Sequence, residues 1–321
     1  MPDHEKEKER EKEKDKDKEK HTAGAAEPAA AASTQATSHT TPHVTGHAAA
    51  HTTTHAGAPE HPALPLTGKN AEKADDDTSG AFFGAPLVGF DASDISGSLI
   101  VIEGLDGSGR STQISLLQEW LESEGFAVQT SGLRRSNLVG RDIDELLAKN
   151  AVTRLTLALM YCTDFFDQLE HRIVPALKSG AVVLADRYIF TLIARSVVRG
   201  INRDYLGGLY AMALRPHLTF WLNVRPETAF GREFRKAQAI SYWEAGRDMS
   251  LSHDLYWSFV RYQTMIKREF EAVAKRQNFL ELDGEASVST VNKLLRQRIA
   301  EHLGIRTTKY TPSSALAHLW R

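Results

Sequence analysis

A glycine-rich segment between an apolar run and a predicted helix is the part of the sequence best suited to chemistry. It reads GLDGSGRST at 104–112 and follows the β-branched run SLIVIE at 98–103. Such a run predicts a strand that is buried on both faces, and the helical spacing of Ile114, Leu117 and Leu121 predicts a helix that ends at Gly125. In this setting backbone N–H groups enclose phosphate oxygens, and the helix N-terminus favours their charge. The segment therefore predicts a phosphate-binding loop, with the Ser111 hydroxyl as a Mg²⁺ ligand.

One position of this loop departs from the pattern GxxxxGK[ST], because Arg110 stands where lysine is usual. Arginine keeps the positive charge, but it is longer and planar. Two hypotheses follow: an enzyme in which Arg110 stabilises a moving phosphoryl group, or a nucleotide sensor without turnover. In either case we expect a nucleotide to be bound through its phosphates by Gly104, Leu105, Asp106, Gly107, Ser108, Gly109, Arg110, Ser111 and Thr112.

A second candidate site follows the buried strand predicted at 182–185. Asp186 and Arg187 stand at its carboxyl end, and ligands of open α/β sheets bind at that edge. Asp186 is suited to hold Mg²⁺ beside the phosphates, and Arg187 to bind a phosphoryl group through two hydrogen bonds. In isolation such a pair is more often a helix cap with a surface salt bridge. The phosphate loop upstream favours a catalytic role for both.

A basic region between the fourth predicted strand and the last long helix predicts a lid. Phosphoryl transfer spreads charge over several oxygens, so the protein must supply cations and exclude water. Arg235 and Arg247 are assigned catalytic roles here, and Arg232 and Lys236 belong to the same region. For Arg232 and Lys236 a solvated helix face is an equal alternative.

Several segments in this order resemble thymidylate kinases, which are nucleoside-monophosphate kinases. They are EGLDGSGRSTQ at 103–113, VPALKSG at 174–180, VVLADRY at 182–188, PHLTFWLNVRPE at 216–227 and LELDG at 280–284. The resemblance covers about 99–303 and implies an α/β three-layer P-loop fold, with a parallel five-stranded sheet of order 2-3-1-4-5 flanked by helices. It also implies transfer of phosphate from ATP, with Mg²⁺, to a nucleoside monophosphate, dTMP above all, and it implies a homodimer.

The acceptor side departs from the family pattern. Where the family has Thr-Arg-Glu-Pro-Gly-Gly, this chain has TSGLRRS at 130–136. Asp164 is followed by Phe165, whereas the family has an arginine at that position. Arg195 and Ser196 stand where the family has an aromatic residue and a glutamine. Another acceptor nucleotide is therefore an alternative to dTMP, and aromatic residues at this spacing are often core. The acceptor-binding residues that we expect are Asp106, Arg134, Arg135, Tyr161, Phe165, Arg187 and Arg195.

The composition divides the 321 residues into four parts. Residues 1–80 hold few bulky apolar residues and predict a disordered tail, charged at first and then rich in Ala, Thr, His and Pro. Residues 81–96 form a linker or dock on the domain, 97–305 form the kinase-like domain, and 306–321 form a C-terminal tail. With 39 Lys+Arg against 41 Asp+Glu, no nucleic-acid or membrane partner is expected. The single cysteine favours a cytoplasmic protein, and a partner for the tail is left open.

Overall fold

The computed structural model describes residues 80–237 and 239–305, so the tails predicted at 1–80 and 306–321 lie outside them apart from Gly80. Its centre is a parallel sheet of order β2-β3-β1-β4-β5. The strands are β1 Ser98–Gly104, β2 Val128–Gly132, β3 Val182–Asp186, β4 Leu218–Asn223 and β5 Leu280–Asp283. This sheet, with helices on both faces, confirms the predicted α/β fold and strand order.

Helices connect the strands and cover the sheet. They are α1 Arg110–Ser123, α2 Gly140–Ala148, α3 Arg154–Gln168, α4 Val174–Lys178, α5 Ile189–Val198, α6 Arg203–Leu209, α7 Pro226–Ala237, α8 Leu255–Arg276 and α9 Val288–Leu303, with a π-helical turn Leu169–Ile173 between α3 and α4. Among the described residues, no helix combines the length and the apolar character needed to cross a membrane.

The central strand β1 determines where the site lies. Its residues 99–104 are buried, because it pairs with β3 on one side and β4 on the other. A strand covered on both faces needs apolar side chains in both directions, which explains the continuous apolar run. Ile102 is in register with Asp186. The loop after β1 and the end of β3 therefore meet at one edge of the sheet.

The two faces of the sheet form two separate cores. Alternate residues of a strand point to opposite faces, so Leu99 and Val101 belong to one apolar cluster and Ile100 and Ile102 to the other. The second cluster is closed by apolar residues of α1 and α9. Both clusters pack against β1, so the strand that leads into the loop is buried on both faces.

The segment 81–96 packs against the domain. Phe82 is only 1% exposed and forms an antiparallel bridge with Leu214. Leu87 is also buried in the first core cluster, and Phe82 meets Phe90 edge-to-face. Of the two possibilities that the sequence leaves for this segment, the structure shows the docked one. The physical reason is that the Phe82 and Leu87 side chains bury apolar surface.

Candidate active site

The glycine loop wraps the N-terminus of α1 and opens onto a cleft of about 770 Å³. Gly107 has φ +78° and a Cβ there would come within 2.3 Å of Ala229 O, so only glycine fits. Gly109, with φ +94°, turns the chain into the first residue of α1. Residues 106–112 line the cleft, whereas Gly104 and Leu105 lie behind it and are absent from its lining. The loop therefore presents backbone N–H groups and a helix N-terminus to one cavity.

Arg110 binds the loop from within. Its side chain is 6% exposed, and its Nε donates to Asp186 Oδ1 over 2.9 Å. Its Nη1 donates to Ser108 Oγ over 2.9 Å, to Gly104 O over 2.6 Å, and to Leu105 O. One guanidinium thus joins the loop backbone to the end of β3. A lysine ammonium carries its three N–H donors on a single nitrogen, which is too few for these four acceptors. A direct contact between Arg110 and the transferred phosphoryl group stays a prediction.

Ser111 and Asp186 lie side by side at the mouth of the loop. Ser111 Oγ donates to Asp186 Oδ2 over 2.8 Å. Burial acts to raise the pKa of Asp186, but the guanidinium groups of Arg110 and Arg187 outweigh burial and lower it, so the carboxylate is ionised at neutral pH. In the described part of the chain, no three His, Cys, Asp or Glu residues are grouped to hold a metal ion. A hydroxyl and a carboxylate suit Mg²⁺ that also binds phosphate oxygens.

Asp106 is held by a cluster of buried donors. Arg187 Nη2 donates to Oδ1, Arg195 Nη2 donates to both carboxylate oxygens over 2.8 and 2.7 Å, and Gln263 Nε2 donates to Oδ2 over 2.9 Å. Burial acts to raise the pKa of Asp106, but the neighbouring arginines hold it far below its usual range. The sequence identified three of these residues. Gln263 was missed, because it lies on α8 with no local motif around it.

Arg187 is the member of this cluster that also reaches the cleft. It lines the cavity together with the loop and Asp186. Its Nε is buried and has no hydrogen-bond partner among the described residues, although a buried donor usually has one. Its backbone has φ +75°, which is unusual for a residue with a Cβ. Arg187 therefore brings a positive charge to the wall of the cleft.

Asp164 anchors the turn after β2. It is 1% exposed, its Oδ2 accepts from Arg134 N over 2.8 Å, and its Oδ1 accepts from Ser136 N over 2.9 Å. The turn places Arg134 and Arg135 on the wall of the cleft, as expected for residues that bind an acceptor phosphate. The Arg134 side chain is half exposed and pairs with Asp144 over 2.8 Å. Whether either arginine binds the acceptor stays a prediction.

Phe165 corrects the sequence-based expectation of a base-stacking residue. It is 6% exposed, and its ring meets those of Tyr188 at 5.1 Å and Tyr210 at 5.6 Å. Phe165 therefore belongs to the core, since an aromatic side chain at this position is covered by α5 and the loop after α6. Tyr161, one turn earlier, is half-buried and lines a small cavity of about 30 Å³ together with Arg195.

The lid cations are distributed differently from the prediction. Arg232 and Lys236 line the cleft, whereas Arg235 is exposed and outside it. Arg232, Glu233 and Lys236 together line the cleft, so the cleft-facing side of α7 is centred between them. At about 100° per residue, position 235 lies roughly 100° to one side of that centre. Arg247 is also absent from the cleft lining, and its Nη1 donates to His253 O over 3.1 Å. In this structure the lid cations that line the cleft are thus Arg232 and Lys236 of α7, in place of Arg235 and Arg247.

Glu103, near the end of β1, is a further residue beside Gln263 whose role the sequence does not indicate. Its Oε1 accepts from Tyr188 N over 2.9 Å and from Thr191 N over 3.3 Å, and its Oε2 accepts from Thr191 Oγ1. It is fully buried, and burial raises its pKa to about 7. Glu103 thus binds the first backbone donors of α5, directly after Arg187.

A glycine loop that opens the first helix, with an aspartate at the end of the neighbouring parallel strand, defines a P-loop nucleotide-binding protein. Residues 102–294 match the family model described as Thymidylate kinase. The chain is 37% identical over 208 residues to "Probable thymidylate kinase 2" of Saccharolobus solfataricus, which covers 64% of this chain and 97% of that protein. It is 30% identical over 223 residues to "Thymidylate kinase" of Synechococcus sp. (strain CC9902), covering 65% of this chain and all of that one.

The chain therefore belongs to the thymidylate kinase family, and it is a nucleoside-monophosphate kinase. The resemblance noted in the sequence and the predicted enzyme class are both confirmed. Nothing in these comparisons favours a nucleotide sensor without activity.

Proposed function

We propose that this kinase transfers the γ-phosphoryl group of ATP to dTMP, giving ADP and dTDP. The two thymidylate kinases compared above match over nearly their whole length. The observation that carries the proposal is the position of Arg187, which lines the phosphate cleft and pairs with Asp106. Phosphoryl transfer between two phosphates requires a cation between the donor loop and the acceptor side, because negative charge develops on the transferred group.

The donor nucleotide would lie along the length of the cleft. Its phosphates fit the loop at 106–112, and residues 284–288 line the other part of the same cavity, where the adenine would lie. Ser111 and Asp186 would hold Mg²⁺, which supplies charge neutralisation on the phosphate oxygens when bound. Asp186 is suited to this because its carboxylate is ionised and oriented by Arg110.

The transfer needs positioning and charge, and no covalent enzyme intermediate. An oxygen of the acceptor phosphate forms a bond to the γ-phosphorus while the bond from that phosphorus to the ADP oxygen breaks. Arg187, Arg232 and Lys236 would neutralise the charge that develops on the moving group. Arg134 or Arg135 would hold the acceptor phosphate in line with it.

The acceptor nucleoside would extend from the cleft towards Asp106 and Arg195. Tyr161 lines a small cavity together with Arg195, and its ring would stack on the base. Phe165 takes no part, because it is buried in the core. A cytoplasmic location and a homodimer are expectations that go with this function.

A coupled ADP-release assay with ATP, Mg²⁺ and a panel of monophosphates tests the proposal. We expect turnover with dTMP that exceeds turnover with dUMP, CMP, AMP and GMP. A clear preference for another monophosphate would replace dTMP as the acceptor. Measurable ATP binding without turnover on any member of the panel would overturn the proposed function.

A further inference from the structure

We propose that residues 81–84, here called the strap, are positioning residues that hold Arg187 in its reactive conformation. The strap precedes the family match, which begins at residue 102, yet its Phe82 is buried in the domain core. The inference rests on the proposed function in one respect, namely that Arg187 serves the phosphoryl transfer. The task of holding Arg187 is thereby assigned to a segment that lies outside the residues matched by the family model.

The turn around Arg187 requires support from its surroundings. A residue with a Cβ at φ +75° persists only where neighbouring contacts over-determine the backbone. On the side of the sheet this support is visible, because Arg187 N donates to Ile102 O over 3.1 Å and Tyr188 N donates to Glu103. Both acceptors belong to β1. Elements outside the sheet also contact the turn.

Tyr188 connects the turn at Arg187 to the loop at 211–217. The Tyr188 ring is 2% exposed, and its Oη donates to Leu214 O over 2.9 Å. Leu214 forms the antiparallel bridge with Phe82. Three backbone hydrogen bonds join the strap to this loop: Phe83 N to Ala213 O (3.1 Å), Gly84 N to Ala211 O (2.8 Å) and Arg215 N to Ala81 O (2.7 Å). The acceptor of the Tyr188 hydroxyl is thus held by the strap.

Phe83 provides a second and more direct contact. Its ring meets that of Phe190 edge-to-face at 5.7 Å, and Phe190 lies in the first turn of α5, three residues after Arg187. The Arg215 guanidinium covers the Phe83 ring at 4.6 Å and also donates from Nε to Phe82 O over 2.8 Å. The strap therefore contacts the turn through Leu214 and Tyr188, and again through Phe190.

The test uses the full chain with Phe83→Ala, and with Val88→Ala as the matched control. Val88 lies in the same docked segment but is 91% exposed. Amide hydrogen exchange across residues 187–191 is measured without nucleotide, and kcat and KM are measured well below the melting temperature. We expect Phe83→Ala to speed exchange at 187–191 and to lower kcat, each about tenfold. Exchange at 104–112 and the KM for ATP should stay unchanged, and Val88→Ala should match the wild type.

A purely structural strap would give a different result. In that case Phe83→Ala would lower the melting temperature, while exchange at 187–191 and kcat stayed at wild-type values, and this outcome overturns the proposal. Phe83→Leu keeps an apolar side chain and should recover part of the loss, and it replaces Phe83→Ala if that variant does not fold. If Phe83→Ala speeds exchange at 187–191 and the enzyme prefers another acceptor, the positioning role of the strap is supported. In that case only the assignment of dTMP as the acceptor is wrong.

Discussion

Arg110 and Asp186 form a buried ion pair that joins the phosphate loop to the end of β3. The Nε to Oδ1 distance is 2.9 Å, and the two side chains are 6% and 10% exposed. Ser111, the next residue of α1, donates to the second oxygen of the same carboxylate. This ion pair therefore holds the first turn of α1 against the end of β3, and the loss of either partner would leave a buried charge without its ion-pair partner.

Removal of the Arg110 side chain should affect both stability and turnover. Arg110→Ala removes a donor from the loop carbonyls and leaves the buried Asp186 carboxylate without the guanidinium that pairs with it. We therefore expect a loss of about 3 kcal/mol in the free energy of unfolding. Turnover should fall about a hundredfold or more, with a smaller loss of ATP affinity. Arg110→Lys keeps the charge and should retain most of the turnover. Urea unfolding, ATP titration and the ADP-release assay measure these effects, and wild-type turnover of Arg110→Ala would contradict the role assigned here.

Phe165 and Tyr161 should respond differently to substitution although they lie one turn apart on α3. Phe165→Leu removes ring contacts in the core, so it should lower the free energy of unfolding by about 1–2 kcal/mol and leave the KM values unchanged. Tyr161→Ala should raise the KM for dTMP about tenfold through loss of stacking, with the KM for ATP as the internal control. Thermal unfolding and steady-state kinetics distinguish the two. A selective rise in the KM for dTMP with Phe165→Leu would return that residue to the acceptor site.

Lys236 and Arg235 test the orientation of α7. Lys236 lines the cleft and its neighbour Arg235 does not, so Lys236→Ala should lower kcat about tenfold or more, whereas Arg235→Ala should have little effect. Both variants remove one positive charge from the same helix, which controls for general electrostatics. If instead Arg235→Ala causes the larger loss of kcat, the arrangement of the basic face during catalysis differs from the one described.

Glu103 should give the stability of the protein a recognisable pH dependence. Burial raises its pKa to about 7 in the folded state, from 4.5 ordinarily. The folded protein therefore binds this proton more tightly than the unfolded chain does. Its stabilising contribution is complete below pH 4.5 and is lost as the pH rises to about 7.

The matched variant Glu103→Gln cannot ionise and isolates this effect. We expect the free energy of unfolding of the wild type, relative to Glu103→Gln, to fall by up to about 3 kcal/mol between pH 4.5 and neutral pH. Urea unfolding at several pH values measures the difference. A difference that is constant over this range would show that Glu103 ionises with an ordinary pKa.

The sequence by itself determined the elements whose signal is local. The apolar run before Gly104 predicts β1, the glycines predict the phosphate loop, and the run before Asp186 predicts β3. Parallel strands end at a common edge, so the meeting of the loop and Asp186 was also predictable. The division of the chain into tails and domain stays a prediction.

Only the tertiary structure decided which way particular side chains point. Phe165 is core and not acceptor site, and Arg235 lies outside the cleft, because each depends on how its helix is rotated against its neighbours. Gln263 reaches Asp106 across 157 residues, and Phe82 enters the core from a segment with no motif. These contacts join residues distant in the chain, and packing and burial select them where local spacing carries no signal.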